Sequence, residues 1–378
     1  MSDAPAYRTS TTAGQASTRH PDPTDRTRPR HSAPADQAPI LVTGLPRSGT
    51  SWAGKMLAAG GEAVYVNEPL NPQRPPGRSP GVLNADVRHR FQYICPDDEH
   101  PWLRAFTDTV ALRYRYAAEL RRNHRPRDLA RLAKNASAFA LGRIRGRRAL
   151  LDDPFALFSA GWFAERLGCR VVLMIRDPVS LVASWQRLGW RVDLGELLRQ
   201  PLLVRDHPYV RALRPLAGSD DALATTCALW SAARATVETL AERHPGVRLV
   251  SYEDLVTDPV ARYRDLYAWC GLTWSSRAER TIGRSSAPTA RRTPRGVPAP
   301  ASAIPKSPPD HGPDHARTRD RAVARAFTWT GLSRTAYRPM DPAEALVGHR
   351  DRLTPDQIAQ IVELTTRWRD EEPDAMAR

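Results

Sequence analysis

The stretch Ile40-Leu-Val-Thr-Gly44-Leu-Pro-Arg47-Ser48-Gly49-Thr50-Ser51-Trp52 decides how this chain is read. Its first five residues predict a buried strand ending at Gly44. A tight loop follows, and the pattern from Thr50 to about Ala59 predicts a helix. Strand, glycine-bounded loop and helix start make an anion cradle, because the first backbone N–H groups of the helix face the loop. Gly44 and Gly49 have the four-residue gap of a P-loop, and Ser51 stands where that loop has its hydroxyl. The lysine that should follow Gly49 is missing, with Thr50 in its place, so the only cation in the loop is Arg47. Such a loop can hold an anion but lacks the group that grips the β- and γ-phosphates of a nucleoside triphosphate.

Outward from this loop, short apolar runs alternate with amphipathic stretches. Strands are predicted at Ala63–Val66, Ala149–Leu151, Val171–Ile175 and Val247–Tyr252. Helices are predicted near Phe155–Leu167, Pro178–Leu188, Asp221–Arg243, Pro259–Cys270 and Thr354–Trp368, the last with Thr354 as cap and Pro355 at its first position. Strands apolar on both faces, alternating with helices, imply a three-layer α/β fold with a central parallel sheet, P-loop-like in its first unit. Ligands then bind beyond the carboxyl ends of the strands.

A second strand–turn–helix unit is Val171-Val-Leu-Met-Ile-Arg176-Asp177-Pro178, continuing to Ser184-Trp185. Arg176 ends the strand on the ligand side. Asp177 followed by Pro178 reads as a helix cap and a first-turn proline. The rival reading, Asp177 as a Mg²⁺-holding carboxylate of a nucleotide kinase, needs the carboxylate directly at the strand end, where Arg176 stands instead.

The two units together resemble the sulfotransferases that use 3′-phosphoadenosine 5′-phosphosulfate (PAPS). LPRSGTSW is similar to that family's 5′-phosphosulfate loop, with arginine where many members have lysine. Arg176 and Ser184, eight residues apart, are similar to its 3′-phosphate motif. The resemblance implies that Arg47 contacts the phosphosulfate near the bridging oxygen and that Ser48, Gly49, Thr50 and Ser51 bind the 5′-phosphate. It implies that Trp52 stacks on adenine and that Arg176 and Ser184 take the 3′-phosphate. Such a donor needs fixed cations and N–H groups aimed at the leaving phosphate, and no metal. RLVSYEDL at 248–255 and RLTPDQIAQIV at 352–362 also resemble the family, with Tyr252, Glu253 and Asp254 read as structural.

Sulfuryl transfer to a hydroxyl needs a general base within hydrogen-bond reach. Tyr65-Val-Asn-Glu68-Pro69 sets a carboxylate just past the second strand, and glycan-acting relatives have a Glu-Pro at the comparable place. Glu68 is therefore the expected base, ahead of His89 and His100, which lie in irregular sequence. At the third strand end, Leu151-Asp152-Asp153-Pro154, relatives usually have a lysine where this chain has Asp152. Asp153 either positions the acceptor hydroxyl or caps a helix; the residues leave both open.

The chain has 378 residues, with 56 Lys+Arg against 41 Asp+Glu and a formal charge of +15. That surplus would suit a polyanion partner, but it is local. Residues 104–148 carry 13 basic and 3 acidic side chains, and residues 282–325 carry 9 and 3, so the remainder is near neutral. No aromatic-rich basic surface or reading helix accompanies the charge, which argues against nucleic acid. Only three of the basic residues are lysine (Lys55, Lys134, Lys306), an arginine bias expected of a GC-rich, bacterial genome. Four scattered cysteines suit buried thiols rather than a zinc site or disulfides. No run approaches the roughly 20 apolar residues of a membrane span, and no apolar signal core opens the chain, so a cytoplasmic location is expected. Residues 1–38 read as a disordered tail, 39–378 as the sulfotransferase domain, 104–148 as a basic helical insertion and 282–325 as a Pro/Arg-rich mobile loop. The expected activity is sulfuryl transfer from PAPS to a hydroxyl, less readily an amine, of a glycan, lipid or small molecule. The alternative is a P-loop kinase or other phosphotransferase.

Overall fold

The computed structural model describes residues 37–72, 83, 85–122, 124, 126–286, 342–348 and 352–370. The tail expected at 1–38, all but its last two residues, and most of the loop expected at 282–325 lie outside the described residues.

Five strands form one sheet: β1 (Ile40–Gly44), β2 (Ala63–Asn67), β3 (Arg148–Asp152), β4 (Arg170–Ile175) and β5 (Val247–Ser251). All pairings are parallel, in the order β2-β3-β1-β4-β5. Side chains alternate across the sheet, so the strands feed two cores. Leu41, Val64, Val66, Leu151, Val171 and Leu173 enter one; Ile40, Val42, Leu150, Val172 and Met174 enter the other. Each fully buried aliphatic side chain contributes about 1.5–3 kcal/mol, which explains why both strand faces are apolar.

Helices cover both faces. They are α1 (Thr50–Leu57), α2 (His100–Val110), α3 (Tyr116–Arg122), α4 (Pro126–Ile144), α5 (Ala160–Leu167) and α6 (Pro178–Leu188). Short helical turns span 195–216. Then come α7 (Ala222–Arg243), α8 (Tyr252–Thr257), α9 (Pro259–Cys270), α10 (Ser276–Ser285), α11 (Pro342–Val347) and α12 (Pro355–Asp370). The basic insertion is helical as expected: α2, α3 and α4 lead from β2 to β3.

Two local readings change. The helix expected at Phe155–Leu167 is a 3₁₀ segment, Pro154–Ser159, followed by α5. Asp153 caps it, accepting from the Phe155 N–H at 3.0 Å, and Pro154 occupies the first turn. Tyr252 starts α8 rather than ending β5, because Ser251 accepts from the Asp254 N–H and caps the helix. At α12, Thr354 Oγ1 accepts from the Gln357 N–H at 3.2 Å while the Thr354 N–H donates to Gln357 Oε1 at 3.0 Å, a reciprocal capping box. All four cysteines are buried free thiols. No described helix is long and apolar enough to cross a membrane.

Candidate active site

The register brings the carboxyl ends of all five strands to one edge: Asn67 pairs with Asp152, Gly44 with Met174 and Ile175 with Ser251. The loop between β1 and α1 crosses that edge. Gly44 (φ 152°) and Gly49 (φ 92°) allow its turns. A Cβ on Gly44 would sit 2.3 Å from the Met174 carbonyl oxygen, and one on Gly49 would sit 2.5 Å from the Tyr252 ring. No side chain caps α1 and its first turn has no acidic residue, so nothing within the helix offsets the positive end of its dipole.

Arg47 adopts φ 76°, a left-handed conformation that costs a non-glycine residue about 1–3 kcal/mol. Three contacts hold it there. Its own Nε donates to Ser184 Oγ at 3.2 Å, and its carbonyl oxygen accepts from Arg176 Nη1 at 3.0 Å. The Trp185 indole N–H donates to the preceding carbonyl, that of Pro46, at 2.9 Å. The two motifs seen in the sequence are thus one constellation. On its far side the Trp230 indole of α7 donates to the Arg176 carbonyl at 2.9 Å, and the Arg176 guanidinium lies over the Tyr252 ring at 4.5 Å.

Neither Arg47 nor Arg176 forms an ion pair with a carboxylate among the described residues, and Arg176 Nε is buried with no acceptor. Burial, then the nearby Arg176 and Arg187, lowers the Arg47 pKa to about 10. Positive charge is thus concentrated at Arg47 and Arg176, with no carboxylate paired to either among the described residues. Asp177 is the cap of α6, accepting from the Ser180 N–H at 2.9 Å, and its own N–H donates to Glu253 Oε1 at 3.1 Å. The kinase-type metal reading of Asp177 is therefore not supported. Tyr252 and Glu253, read as structural, are structural in this sense: they wall and brace the site. Trp52 is buried, perpendicular to Tyr252 and Tyr263, and its indole N–H donates to Ser285 Oγ at 3.4 Å.

The carboxylates lie toward β2 and β3. Glu68 is 1 % exposed and left-handed (φ 46°). Its N–H donates to the Asp152 carbonyl at 2.7 Å, and Asn71 Nδ2 donates to its Oε2 at 2.8 Å. Asp153 resolves as a cap and a brace: besides Phe155 it accepts from the Leu70 N–H at 2.6 Å, tying the Glu68 turn to β3. Burial raises the pKa of Asp153 well above the ordinary carboxylate value. Asp152, wholly buried, accepts from the Tyr65 hydroxyl. Burial, then Glu68, lifts its pKa to about 6, opposed by the hydroxyls of Tyr65, Ser51 and Thr50. Lys55 is also buried here, over the Tyr65 ring at 5.8 Å, and burial lowers its pKa. His89 and His100 make no contact with either group of residues: the His89 N–H donates to Gln92, and His100 is an exposed residue at the start of α2. Among the described residues no three His, Cys, Asp or Glu side chains are grouped to hold a metal ion.

The sequence reading missed the indoles of Trp185 and Trp230 and the Tyr65–Asp152 pair. Trp185 stands beside Ser184 and was within reach; Trp230 lies 54 residues from its partner and carries no local signal.

A glycine-bounded, lysine-free loop is thus joined to a second arginine at the carboxyl edge of a parallel sheet. A model of the sulfotransferase family matches residues 39–276, more than half of the chain, and the chain belongs to that family. Solved structures with similarity include a sulfotransferase domain from the curacin biosynthetic pathway (12 % identity, 87 % of this chain and 97 % of that one, TM-score 0.39). Others are mouse sulfotransferase SULT7A1 complexed with PAP (13 %, 91 % and 89 %, TM-score 0.38) and STF1 from Mycobacterium tuberculosis (20 %, 65 % and 70 %, TM-score 0.33). No curated protein matches the chain.

Proposed function

We propose that this sulfotransferase takes its sulfuryl group from PAPS and passes it to a hydroxyl of a glycan, lipid or small molecule, releasing 3′,5′-ADP. The observation that carries the reading is the pair Arg47 and Arg176, hydrogen-bonded to one another and, among the described residues, without carboxylate partners. They stand beside a helix N-terminus with no loop lysine. The loop suits a single phosphate flanked by a sulfuryl group better than a triphosphate chain.

In this reading the backbone from Ser48 to Ser51 and the two hydroxyls of Thr50 and Ser51 hold the 5′-phosphate. Arg47 neutralises the charge that grows on the bridging oxygen as the S–O bond breaks. Arg176 and Ser184 take the 3′-phosphate; Ser184 Oγ already accepts from Arg47, which leaves its own hydrogen to donate. Trp52 is the residue against which adenine is placed. Glu68 removes the proton of the acceptor hydroxyl as its oxygen attacks sulfur in line, and the phosphate leaves on the opposite side. No step requires a metal, and EDTA should leave turnover intact.

The test is titration calorimetry with 3′,5′-ADP and with Mg-ATP, followed by transfer of labelled sulfate from PAPS into acceptor extracts. Tight 3′,5′-ADP binding with weak ATP binding is expected. The reverse order of affinities would replace this reading with that of a phosphotransferase.

A further inference from the structure

The helices between β2 and β3 carry apolar side chains on two sides. From α4 the core takes Leu132, Ala136 and Phe139, and α4 packs on β2. One such stripe is what a surface helix needs. Helix α4 has a second: Leu129, Leu141 and Ile144 stand exposed, Ile144 at 81 %. At about 3.6 residues per turn these three fall within an arc of about 120°. Helix α3, packed on α4, adds the exposed side chains of Tyr116 and Leu120. Of the eight large apolar side chains exposed among the described residues, five are therefore on these two neighbouring helices.

The charge around them has one sign. Arg121, Lys134, Arg143 and Arg145 are exposed on the same two helices or one residue beyond. The three carboxylates of residues 104–148 are withdrawn from that surface: Glu119 and Asp128 are buried, and Asp108 pairs with Arg113 and Arg115. A face that offers water only cations and apolar groups suits both layers of an anionic bilayer, with phosphate headgroups for the cations and acyl chains for the leucines and isoleucine.

We propose that α3 and α4 form a peripheral docking surface for an anionic lipid bilayer. The exposed apolar side chains enter the headgroup boundary, and the arginines and Lys134 pair with lipid phosphates. No described helix is long and apolar enough to cross, so α4 lies along the surface. Two copies of this face would bring like charges together. A nucleic acid would take the arginines but leave the apolar groups in water. The docking surface uses neither arginine of the nucleotide site nor Glu68, and it stands independently of the donor reading.

The test is co-sedimentation of the full chain with phosphatidylcholine vesicles, with and without phosphatidylglycerol, at low and high salt. Binding to the mixed vesicles should be at least about tenfold tighter than to phosphatidylcholine alone, and salt should weaken it. Ile144→Ser should weaken it about tenfold and Arg145→Ala about fivefold, with the circular dichroism of both variants unchanged. Should Ile144→Ser fail to fold, Leu120→Ser on α3 decides, with the same loss expected. Equal binding to the two vesicle types overturns the proposal, as does binding that the serine variants leave intact. A lipid-free dimer that Ile144→Ser abolishes, or tighter binding to duplex DNA than to the mixed vesicles, overturns it as well.

Discussion

Arg47 Nε donates to Ser184 Oγ at 3.2 Å, across 137 residues of sequence, and this bond joins the loop after β1 to the helix after β4. The Arg47 guanidinium is thereby held by the helix that follows Arg176. Ser184→Ala should release the Arg47 side chain and weaken 3′,5′-ADP binding about three- to tenfold, the worth of one hydrogen bond at about 1 kcal/mol. Arg176→Ala removes a charge and also the donor to the Arg47 carbonyl, so it should cost more than tenfold. Calorimetry that ranked Ser184→Ala below Arg176→Ala in affinity would contradict the arrangement.

Two indoles hold the backbone of this constellation. Trp185→Phe frees the Pro46 carbonyl and Trp230→Phe frees that of Arg176. Each should lower stability by about 1–3 kcal/mol, since a buried acceptor loses its donor. Nucleotide affinity should fall as well, because φ at Arg47 is strained and relaxes when its clamps loosen. Denaturant titration and calorimetry on the same samples separate the two effects.

The two loop glycines differ in what they abut. Gly44→Ala drives a methyl into the Met174 backbone carbonyl, which is fixed in the β1–β4 ladder, whereas Gly49→Ala meets the Tyr252 side chain. Gly44→Ala should destabilise the whole sheet and lower the melting temperature. Gly49→Ala should chiefly abolish nucleotide binding, with the smaller thermal shift.

Glu68→Gln keeps the shape of the turn and the contact with Asn71 but cannot accept a proton. It should abolish sulfuryl transfer while leaving 3′,5′-ADP affinity within a few-fold. Turnover near the wild-type rate would move the base elsewhere.

Two groups set opposite pH dependences of stability. Asp152 has its pKa raised to about 6, above the unfolded value, so the native state binds the extra proton and stability falls as pH rises through about 4 to 6. His207, half-buried against Tyr93 and Phe158, has its pKa lowered by desolvation to about 4, below the unfolded value near 6.5, so stability falls as pH drops through that window. Asp152→Asn should therefore stabilise the protein by on the order of 2–3 kcal/mol at pH 7, with the gain vanishing below about pH 4. Melting curves of both proteins across pH 3–8 test this.

Much of this was legible in the chain. The five strands were readable because strands buried on both faces need unbroken apolar runs, as Ile40–Gly44 and Val171–Ile175 display. The two anchors were readable because each is local: loop and helix start lie within 13 residues, and Arg176 and Ser184 within nine. Sheet order was not readable, since β3 inserts between β1 and β2 through contacts that only the folded chain makes. The same holds for Trp230 and Arg176, and for Tyr65 and Asp152, whose partners are 54 and 87 residues away. The Tyr65 hydroxyl that Asp152 accepts from had to be seen in three dimensions.

The β1–β4 pairing works as a gauge. The loop that carries Arg47 and the turn that carries Arg176 leave adjacent parallel strands, and neighbouring strands stand about 4.8 Å apart. Sliding one anchor along the other by a single residue would turn every side chain of that strand to the opposite face and exchange the contents of the two cores. The spacing between Arg47 and Arg176 is therefore tied to the integrity of the sheet and cannot drift on its own. The helices between β2 and β3 lie on the other side of the sheet's midline, packed into the core through Phe106 and Phe139, and take no part in that pairing.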